Sequence, residues 1–414
     1  MIKKVIIALS LLFSAFTFAQ EATSSPYSFY GIGEIRFKGT AENRSMAGVS
    51  VLPDSIHINV QNPAMYTNLK LTSYAVGGTF NTTKIDSYSK SDKSQRVGLD
   101  YLSIALPLKK MGVGFGLIPY TSVGYKINKL AADNSQATNF AGKGGINKVY
   151  LGFGYQITPE LSAGLDTQFN FGNIETSRLS VYQNVQYGSN ENNLSNITGF
   201  NFNLGLSYNK KLKNNLNFFS GLTYIPEAKL NLKNELKSSS VLFGQGGQQF
   251  FQDTKTTLTD EKITLPSKFT FGVGVGHLKK WALGTEISFS ENSKLTNRFK
   301  EIQNASFQNA TKFSLGGYYI PKFNSFTNYF SRIVYRGGVR YETTGLIVNG
   351  KAQDDAALTL GLGLPLNSYF SNINFSYEFG KRGTTSSGLV RETYMNFSVG
   401  LSFNDRWFIK RKYN

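Results

Sequence analysis

Cysteine is absent from this chain of 414 residues, and histidine and tryptophan occur only twice each. A chain without cysteine forms no disulfide and no thiolate metal site, and two scattered histidines, His57 and His277, cannot make a closed metal site. Neither histidine has a serine or carboxylate partner at a recognisable spacing, and no Gly-x-Ser-x-Gly elbow occurs. We therefore expect no metal, no cofactor and no enzymatic activity.

Long apolar runs are also scarce. The single one, residues 5–18, follows Lys3-Lys4 and is shorter than the roughly 20 residues that a helix needs to cross a membrane. A charged start, a short apolar core and the small residues Thr17 and Ala19 are typical of a secretory signal peptide, which we place at residues 1–19. No second long apolar run follows, so helical membrane spans are excluded.

Acidic residues are few, 26 Asp and Glu against 44 Lys and Arg, which gives a formal charge of +18. Removing Lys3 and Lys4 with the signal peptide leaves 42 against 26, a charge of +16. Export argues against nucleic acid as a partner. Anionic outer-membrane lipids and lipopolysaccharide are one interpretation of the charge, and a solvated surface without a partner is the other.

Aromatic residues (14%) and glycine (41 residues) are abundant, and from about residue 71 onward apolar and polar residues alternate with period two. Val149, Leu151 and Phe153, for example, alternate with Tyr150 and Gly152. Such alternation places the two sets on opposite faces of a strand. The pattern predicts an all-β protein, a transmembrane antiparallel β-barrel with a lipid-facing apolar surface.

The strand count follows from the positions of the turns. We place fourteen strands at residues 71–84, 97–108, 111–126, 146–157, 160–172, 197–210, 214–229, 263–277, 281–290, 309–321, 331–344, 355–366, 371–380 and 391–403. Their predicted connections alternate between long polar loops, such as 173–196 and 230–262, and short turns, such as Lys109-Lys110 and Thr158-Pro159. Short periplasmic turns and long external loops are typical of barrels in the outer membrane of Gram-negative bacteria. With an even strand number, both termini are expected in the periplasm.

Charged residues within the strands indicate which face is the lumen, because Arg or Lys on the lipid face at mid-membrane costs about 2–4 kcal/mol. Six charged residues fall on the polar face and are predicted to point inward: Lys268, Glu286, Arg336, Arg340, Glu342 and Glu378. Each is either a member of an interior charge network or a ligand contact.

Residues 20–70 precede the barrel (71–403), and a basic tail, residues 404–414, follows it. The segment 20–70 alternates poorly and is too long for a dangling leader, so we expect it to fold into the lumen as a plug, or hatch.

The Gly-x-Gly stretches at 112–116, 272–276 and 361–363 lie inside strands with no following helix, which excludes a dinucleotide site. Inward-facing glycines that make room for a plug or ligand explain them better.

The N-terminal segment also carries a series of short motifs. Asn43-Arg44-Ser45-Met46-Ala47-Gly48-Val49-Ser50 precedes Asp54-Ser55 and then Asn62-Pro63-Ala64. In this order they resemble the FadL-like family of outer-membrane transporters for long-chain fatty acids and other hydrophobic compounds. Further matches lie along nearly the whole chain: Leu265-Pro266-Ser267-Lys268-Phe269, residues 335–342, and residues 401–408. Ala47-Gly48-Val49 departs from the family's commoner Gly-Gly-Ala, and so does the basic tail.

The resemblance implies a fourteen-stranded barrel whose hatch closes the lumen. It assigns gating to Arg44, Met46, Gly48 and the turn Asn62-Pro63-Ala64, and passive uptake of a hydrophobic small molecule to the whole protein. An acidic head group could then meet a lumen cation, for which Lys268, Arg336 and Arg340 are the candidates. Some members of the family serve larger machines, so the alternative is a non-transporting subunit of an outer-membrane assembly or secretion complex.

Overall fold

The structure is a computed structural model that describes residues 23–131, 133–244, 247–258, 260–296, 304–366 and 371–407. The predicted signal peptide, most of the basic tail and the predicted turn 367–370 lie outside these residues. No helix among the described residues is long and apolar enough to cross a membrane.

Twenty strands in the described residues form a single antiparallel sheet. They are β1 (Glu34–Ile35), β2 (Thr72–Asp86), β3 (Ser91–Leu108), β4 (Met111–Pro119), β5 (Thr121–Leu130), β6 (Gln136–Gln156), β7 (Leu161–Tyr182), β8 (Tyr187–Lys211), β9 (Asn217–Ile225), β10 (Ala228–Gly244), β11 (Gly247–Thr257), β12 (Glu261–Leu265), β13 (Lys268–His277), β14 (Trp281–Ser290), β15 (Ala305–Phe307), β16 (Ala310–Tyr319), β17 (Val334–Val348), β18 (Lys351–Pro365), β19 (Asn372–Gly383) and β20 (Arg391–Asp405).

The sheet closes into a barrel, because β2 pairs with β20 through fifteen consecutive residue pairs. Fourteen strands make up the wall of the barrel when the pieces of a broken strand are counted once. Four of these strands are broken into successive pieces: β4 and β5 form one strand, as do β9 and β10, β11 to β13, and β15 and β16. The predicted number of fourteen strands is therefore confirmed once the pieces are joined.

Helical structure is limited to short turns. One α-helix, α1 (Ala41–Arg44), and a 3₁₀ helix, Pro63–Asn68, lie in the N-terminal segment. Other 3₁₀ turns are Pro26–Phe29, Lys213–Asn215, Asn292–Lys294, Phe330–Arg332 and Ser386–Gly388.

The outer surface of the barrel carries an apolar belt. On β6, Val149, Leu151 and Phe153 are exposed while Tyr150 is buried, and on β8 Phe200 and the alternate residues after it repeat the pattern. This is the alternation predicted from the sequence. An apolar outer surface on a closed sheet, whose backbone groups are paired internally, is what a membrane-spanning barrel requires.

The predicted long loops were largely wrong. Residues 173–196 are mostly the paired ends of β7 and β8, which meet at a turn of only four residues, 183–186, and most of 230–262 is strand as well. Antiparallel pairing continues here beyond the apolar belt because each added residue pair still satisfies its backbone groups. Alternation weakens where both faces are polar, so the sequence pattern ends earlier than the strands. We call this end of the barrel the hairpin end, and the opposite one the short-turn end.

Candidate functional site

The N-terminal segment, residues 23–70, lies among the inward-facing side chains of the barrel. Its 3₁₀ helix Pro63–Asn68 starts at Asn62, whose Oδ1 accepts a hydrogen bond from the Ala64 amide (3.0 Å). The Asn62 Nδ2 donates to the Leu206 carbonyl on β8 (2.9 Å). Proline at the first helical position has no amide to satisfy and has its φ already set for the turn. Asn62 therefore both starts the helix and ties it to the barrel wall.

Glycines of the wall make the space for this helix. A Cβ at Gly112 would lie 2.4 Å from the Tyr66 backbone, and one at Gly164 would lie 2.4 Å from the Ala64 nitrogen. The fully buried Tyr66 ring lies over Gly114 and Gly152, and its hydroxyl donates to Asp166 (3.3 Å). The prediction that the Gly-x-Gly stretches make room for the N-terminal segment is confirmed here, and Val51 and Leu52 fill the space at Gly272 and Gly274 in the same way.

The stretch from Arg44 to Gly48 forms a second contact with the wall. After α1 the chain turns with positive φ at Ala47 (56°) and Gly48 (89°), and the Gly48 amide donates to the Asn43 carbonyl (2.8 Å). The Met46 backbone lies against Gly316, where a Cβ would approach it to 2.2 Å. Ala47 thus occupies a left-handed position that favours glycine, the residue commoner there in the family that the sequence resembles.

Buried ion pairs join the segment to strands on one side of the barrel. Arg44 lies between Asp100 on β3 and Glu378 on β19, at 3.4 Å from each, and Arg36 contacts Asp100 at 2.9 Å. Arg382 on β19 pairs with Glu34 of β1. Removing one partner of such a pair leaves an uncompensated buried charge and is strongly destabilising. The pairs therefore favour one seating of the segment.

His57 lies in a second polar cluster, towards the short-turn end. Its Nδ1 is 2.7 Å from Asp54, its Nε2 is 3.4 Å from Glu42 and 3.2 Å from the Asn374 amide. Burial opposes the charged ring, but Asp54 and Glu42 outweigh it and raise the pKa of His57. The sequence showed no carboxylate at a recognisable spacing from His57, because Asp54 reaches the ring across a turn and Glu42 reaches it from α1.

Arg336, a predicted ligand contact, belongs to this His57 cluster. It is buried and donates to the Asn374 Oδ1 (2.9 Å), with Glu42 and Asp54 as its charge partners. It does not line the main cavity, whereas Lys268 and Arg340 do. All six charged residues predicted to face inward do so.

The main cavity, of about 390 Å³, lies between the N-terminal segment and the wall. Its arginines are already paired: Arg340 donates to Glu378 (3.0 Å) and to the Tyr394 hydroxyl (2.6 Å), and Asp355 lies 3.5 Å away. Its lysines are not. Four of them line one side of the cavity: Lys38, Lys148, Lys268 and Lys312. Of the three cations proposed for a head group, only Lys268 therefore has an uncommitted charge.

The wall is interrupted next to this cavity. Strand structure is interrupted at Tyr120, between β4 and β5, and β3 pairs with β4 only over Leu102–Leu108. Among the described residues, β3 from 91 to 101 has β2 as its only strand partner. The space is filled by β1, where Ile35 is the register partner of Thr121 and the Arg36 amide donates to the Tyr120 carbonyl (2.9 Å).

An apolar layer on the inner wall adjoins the interruption. Ile146, Ile174, Ile197 and other residues on β5 to β12 are buried, and they pack around Ile32 and Phe29 of the N-terminal segment. The remaining members of the layer are Tyr120, Val123, Tyr125, Ile127, Phe140, Ala228, Leu230, Leu232, Ile263 and Leu265. The N-terminal segment thus covers an apolar surface that a hydrophobic molecule could occupy.

The sequence predicted part of this site and missed the rest. The turn Asn62-Pro63-Ala64 and the Arg44–Gly48 stretch both contact the wall, but their gating role stays a prediction. Lys148 and Lys312 were missed, although both alternate with lipid-facing residues and so belong to the polar face. Lys38 carries no such signal, because it lies in an irregular part of the segment. Among the described residues, no group of three or more His, Asp or Glu could hold a metal ion.

Comparison with solved structures places this architecture. The toluene transporter TodX of Pseudomonas putida superposes with a TM-score of 0.63 at 17% identity, over 91% of this chain and 100% of that one. The monoaromatic hydrocarbon channel CymD gives 0.61 at 13%, over 90% and 99%. A FadL homologue of Pseudomonas aeruginosa gives 0.59 at 11%, over 90% and 99%. The FadL-like resemblance is thereby confirmed for the fold.

Sequence comparison gives the family. No curated protein matches the chain. A family model does, and it covers residues 1–414. The chain belongs to the BamG family.

Proposed function

We propose that this barrel lies in the outer membrane and lets hydrophobic compounds, such as long-chain fatty acids or aromatic hydrocarbons, cross it passively. The observation that carries the proposal is the apolar inner layer beside the interrupted wall, covered by residues of the N-terminal segment. A hydrophobic molecule entering there stays in contact with apolar surface, so its transfer into the protein is favourable. TodX and CymD, which have this fold, are described as a toluene transporter and a hydrocarbon channel.

In this proposal β1 is the movable part. It has two residues and pairs only with β5 among the described strands, whereas β3 and β5 belong to the barrel proper. Withdrawal of β1 would break the Arg36–Asp100 and Arg382–Glu34 pairs and open a gap between β3 and β5. The short-turn end, where β2 begins and β20 ends, would face the periplasm.

A disulfide between β1 and β5 tests the proposal. The chain has no cysteine, and the Cα atoms of antiparallel register partners lie about 4.5–5.5 Å apart, which is within the range of a disulfide. The double variant Ile35→Cys/Thr121→Cys should lose at least tenfold of its oleate or toluene uptake when oxidised, and regain it when reduced. Uptake is measured in cells that lack other transporters of this type.

The matched control is Thr82→Cys/Met395→Cys, which cross-links the register partners of β2 and β20 and leaves β1 free. It should transport equally well when oxidised and reduced, as should each single cysteine variant. Equal uptake by the oxidised and reduced Ile35→Cys/Thr121→Cys protein would contradict a movable β1.

A second candidate is a non-transporting subunit of an outer-membrane assembly or secretion complex. It is favoured by the turn 320–333 at the short-turn end, where Phe326 is fully exposed and the Phe330 side chain is 71% exposed. Exposed aromatic side chains that protrude together mark interaction sites. The hairpin of β10 and β11 offers a further surface at the other end.

Extraction from native membranes in mild detergent separates the two candidates. A solitary transporter should be recovered alone, together with lipid and lipopolysaccharide. Recovery as a stoichiometric member of a large complex, lost in the double variant Phe326→Ser/Phe330→Ser, would favour the subunit.

A further inference from the structure

Four lysines converge on one side of the main cavity from separate parts of the chain. Lys38 belongs to the N-terminal segment, Lys148 to β6, Lys268 to β13 and Lys312 to β16. Among the described residues, no carboxylate lies within 4.0 Å of any of their ammonium groups. Lys148 is buried, Lys38 and Lys312 are half-buried, and Lys268 is exposed to the cavity. A buried ammonium group needs a partner that replaces its lost water.

The contacts that these lysines do make are weak. The Lys38 nitrogen is buried and has no hydrogen-bond partner. The Lys148 nitrogen lies 3.6 Å from the centre of the Tyr120 ring and donates to the Gln168 Oε1 at 3.3 Å. The Lys312 nitrogen lies 5.7 Å from the Phe37 ring centre. Each ammonium carries three donors, and among the described residues only that of Lys148 donates to a protein atom.

The acids nearby offset the cluster only in part: Glu342, the register partner of Lys312, and Glu286 act on Lys312 through their charges, but both have other partners. Glu286 accepts hydrogen bonds from the Ser50 and Val51 amides, both at 2.6 Å, and from the Ser50 hydroxyl. Glu342 lies 3.5 Å from Arg340. The remaining acids of the cavity pair with its arginines, so two halves of the cavity differ in charge.

Burial, and to a smaller extent the charge of Lys268, lower the pKa of Lys38 to about 8 against the opposing effect of Asp166. A bound anion would remove the main reason for this shift, because it would replace the lost hydration of the ammonium groups.

We propose that the lysine cluster, Lys38, Lys148, Lys268 and Lys312, binds a phosphate group carrying two negative charges. A monocarboxylate supplies one charge and two oxygens, whereas a phosphate supplies three or more oxygens and up to two charges for donors arriving from several directions. The site goes beyond the proposed passage of hydrophobic compounds, and it stands whether or not transport occurs.

Calorimetric titration of the full-length barrel in detergent tests the site, with inorganic phosphate and acetate as probes. Phosphate should bind at neutral pH and acetate at least tenfold more weakly.

Variants that remove the charge of a lysine but keep a side chain of similar volume test the site most directly. Lys38→Met/Lys268→Met should weaken phosphate binding at least tenfold, whereas Lys93→Met, at an exposed position on β3, should leave it unchanged. A circular dichroism spectrum equal to that of the unaltered protein shows that the variant is folded. Absent phosphate binding, or binding unchanged in the double variant, would overturn the proposal.

A short-chain phosphatidic acid distinguishes the two sources of phosphate. If phosphatidic acid binds at least tenfold more tightly than inorganic phosphate, and the corresponding uncharged diacylglycerol does not bind, the ligand is a lipid head group. Equal binding of phosphatidic acid and inorganic phosphate identifies a free phosphate. Both results retain the lysine cluster as the site.

Discussion

Single residues decide how the N-terminal segment fits inside the wall. Glycine is needed where the backbones of the segment and the wall touch, because a side chain on either would separate them. At Gly164 the Pro63–Ala64 peptide occupies the space that a Cβ atom would need. The sequence could indicate that such glycines face inward, but not which backbone they contact.

Gly164→Ala should therefore destabilise the protein. The new Cβ would lie 2.4 Å from the Ala64 nitrogen, so the Pro63 turn must move, which costs about 1–3 kcal/mol for an overpacked site. The measurement is the free energy of unfolding by denaturant in detergent or vesicles. Gly337→Ala is the matched control, since its Cβ would approach no atom closer than 3.7 Å; equal losses in both variants would contradict the contact.

His57 predicts a particular dependence of stability on pH. Because Asp54 and Glu42 outweigh burial and raise its pKa in the folded state, its contribution is fully present below the unfolded value and is lost as the pH rises through the folded one. The contribution of His57 to the free energy of unfolding should thus fall above about pH 6.5, the ordinary pKa of histidine. Between the unfolded and folded pKa values the fall approaches about 1.4 kcal/mol for each pH unit, because the folded state then binds one proton more than the unfolded state.

The variant His57→Gln should remove this fall, as measured by denaturant midpoints between pH 6 and 9. Arg336, which also faces the ring, remains charged throughout this range. His277→Gln alters the other histidine, which lies beside Trp281, and should retain the profile of the unaltered protein. An unchanged profile in His57→Gln would refute the assignment.

At the scale of elements, the sequence predicted the number of strands and their antiparallel arrangement but not their length. The period-two pattern depends on lipid on one face, so it identifies Val149 to Phe153 on β6 and becomes weak for 136–145, where the same strand continues beyond the belt. The interruption at Tyr120 was missed, since residues 111–126 alternate as one strand. Long-range pairing of β1 with β5 leaves no local signal.

The 3₁₀ helix Pro63–Asn68 depends on Asn62 at both of its polar atoms. Asn62→Ala removes the capping acceptor and the bond to the Leu206 carbonyl, and should cost about 1–3 kcal/mol of unfolding free energy. Asn62→Ser retains a capping oxygen and should lose less. A larger loss in the serine variant than in the alanine variant would contradict this role for the cap.

The whole molecule is defined by its outer belt and by the charge inside. Leu151→Arg places a cation near mid-membrane on the lipid face, where it should cost about 2–4 kcal/mol in unfolding from lipid vesicles. Val185→Arg changes an apolar residue of similar exposure in the turn 183–186, beyond the belt. It should cost little; comparable losses in the two variants would place the membrane elsewhere on the barrel.

The seam between β2 and β20 bears on biogenesis. β20, the last of the described strands in chain order, closes the barrel on β2, the strand that directly follows the N-terminal segment. Once fifteen residue pairs have formed along this seam, residues 23–70 lie within a sheet whose one interruption, between β3 and β5, is filled by β1. We expect the segment to take its place before the seam closes, because a closed seam leaves only the ends of the barrel and the β3–β5 interruption for its entry.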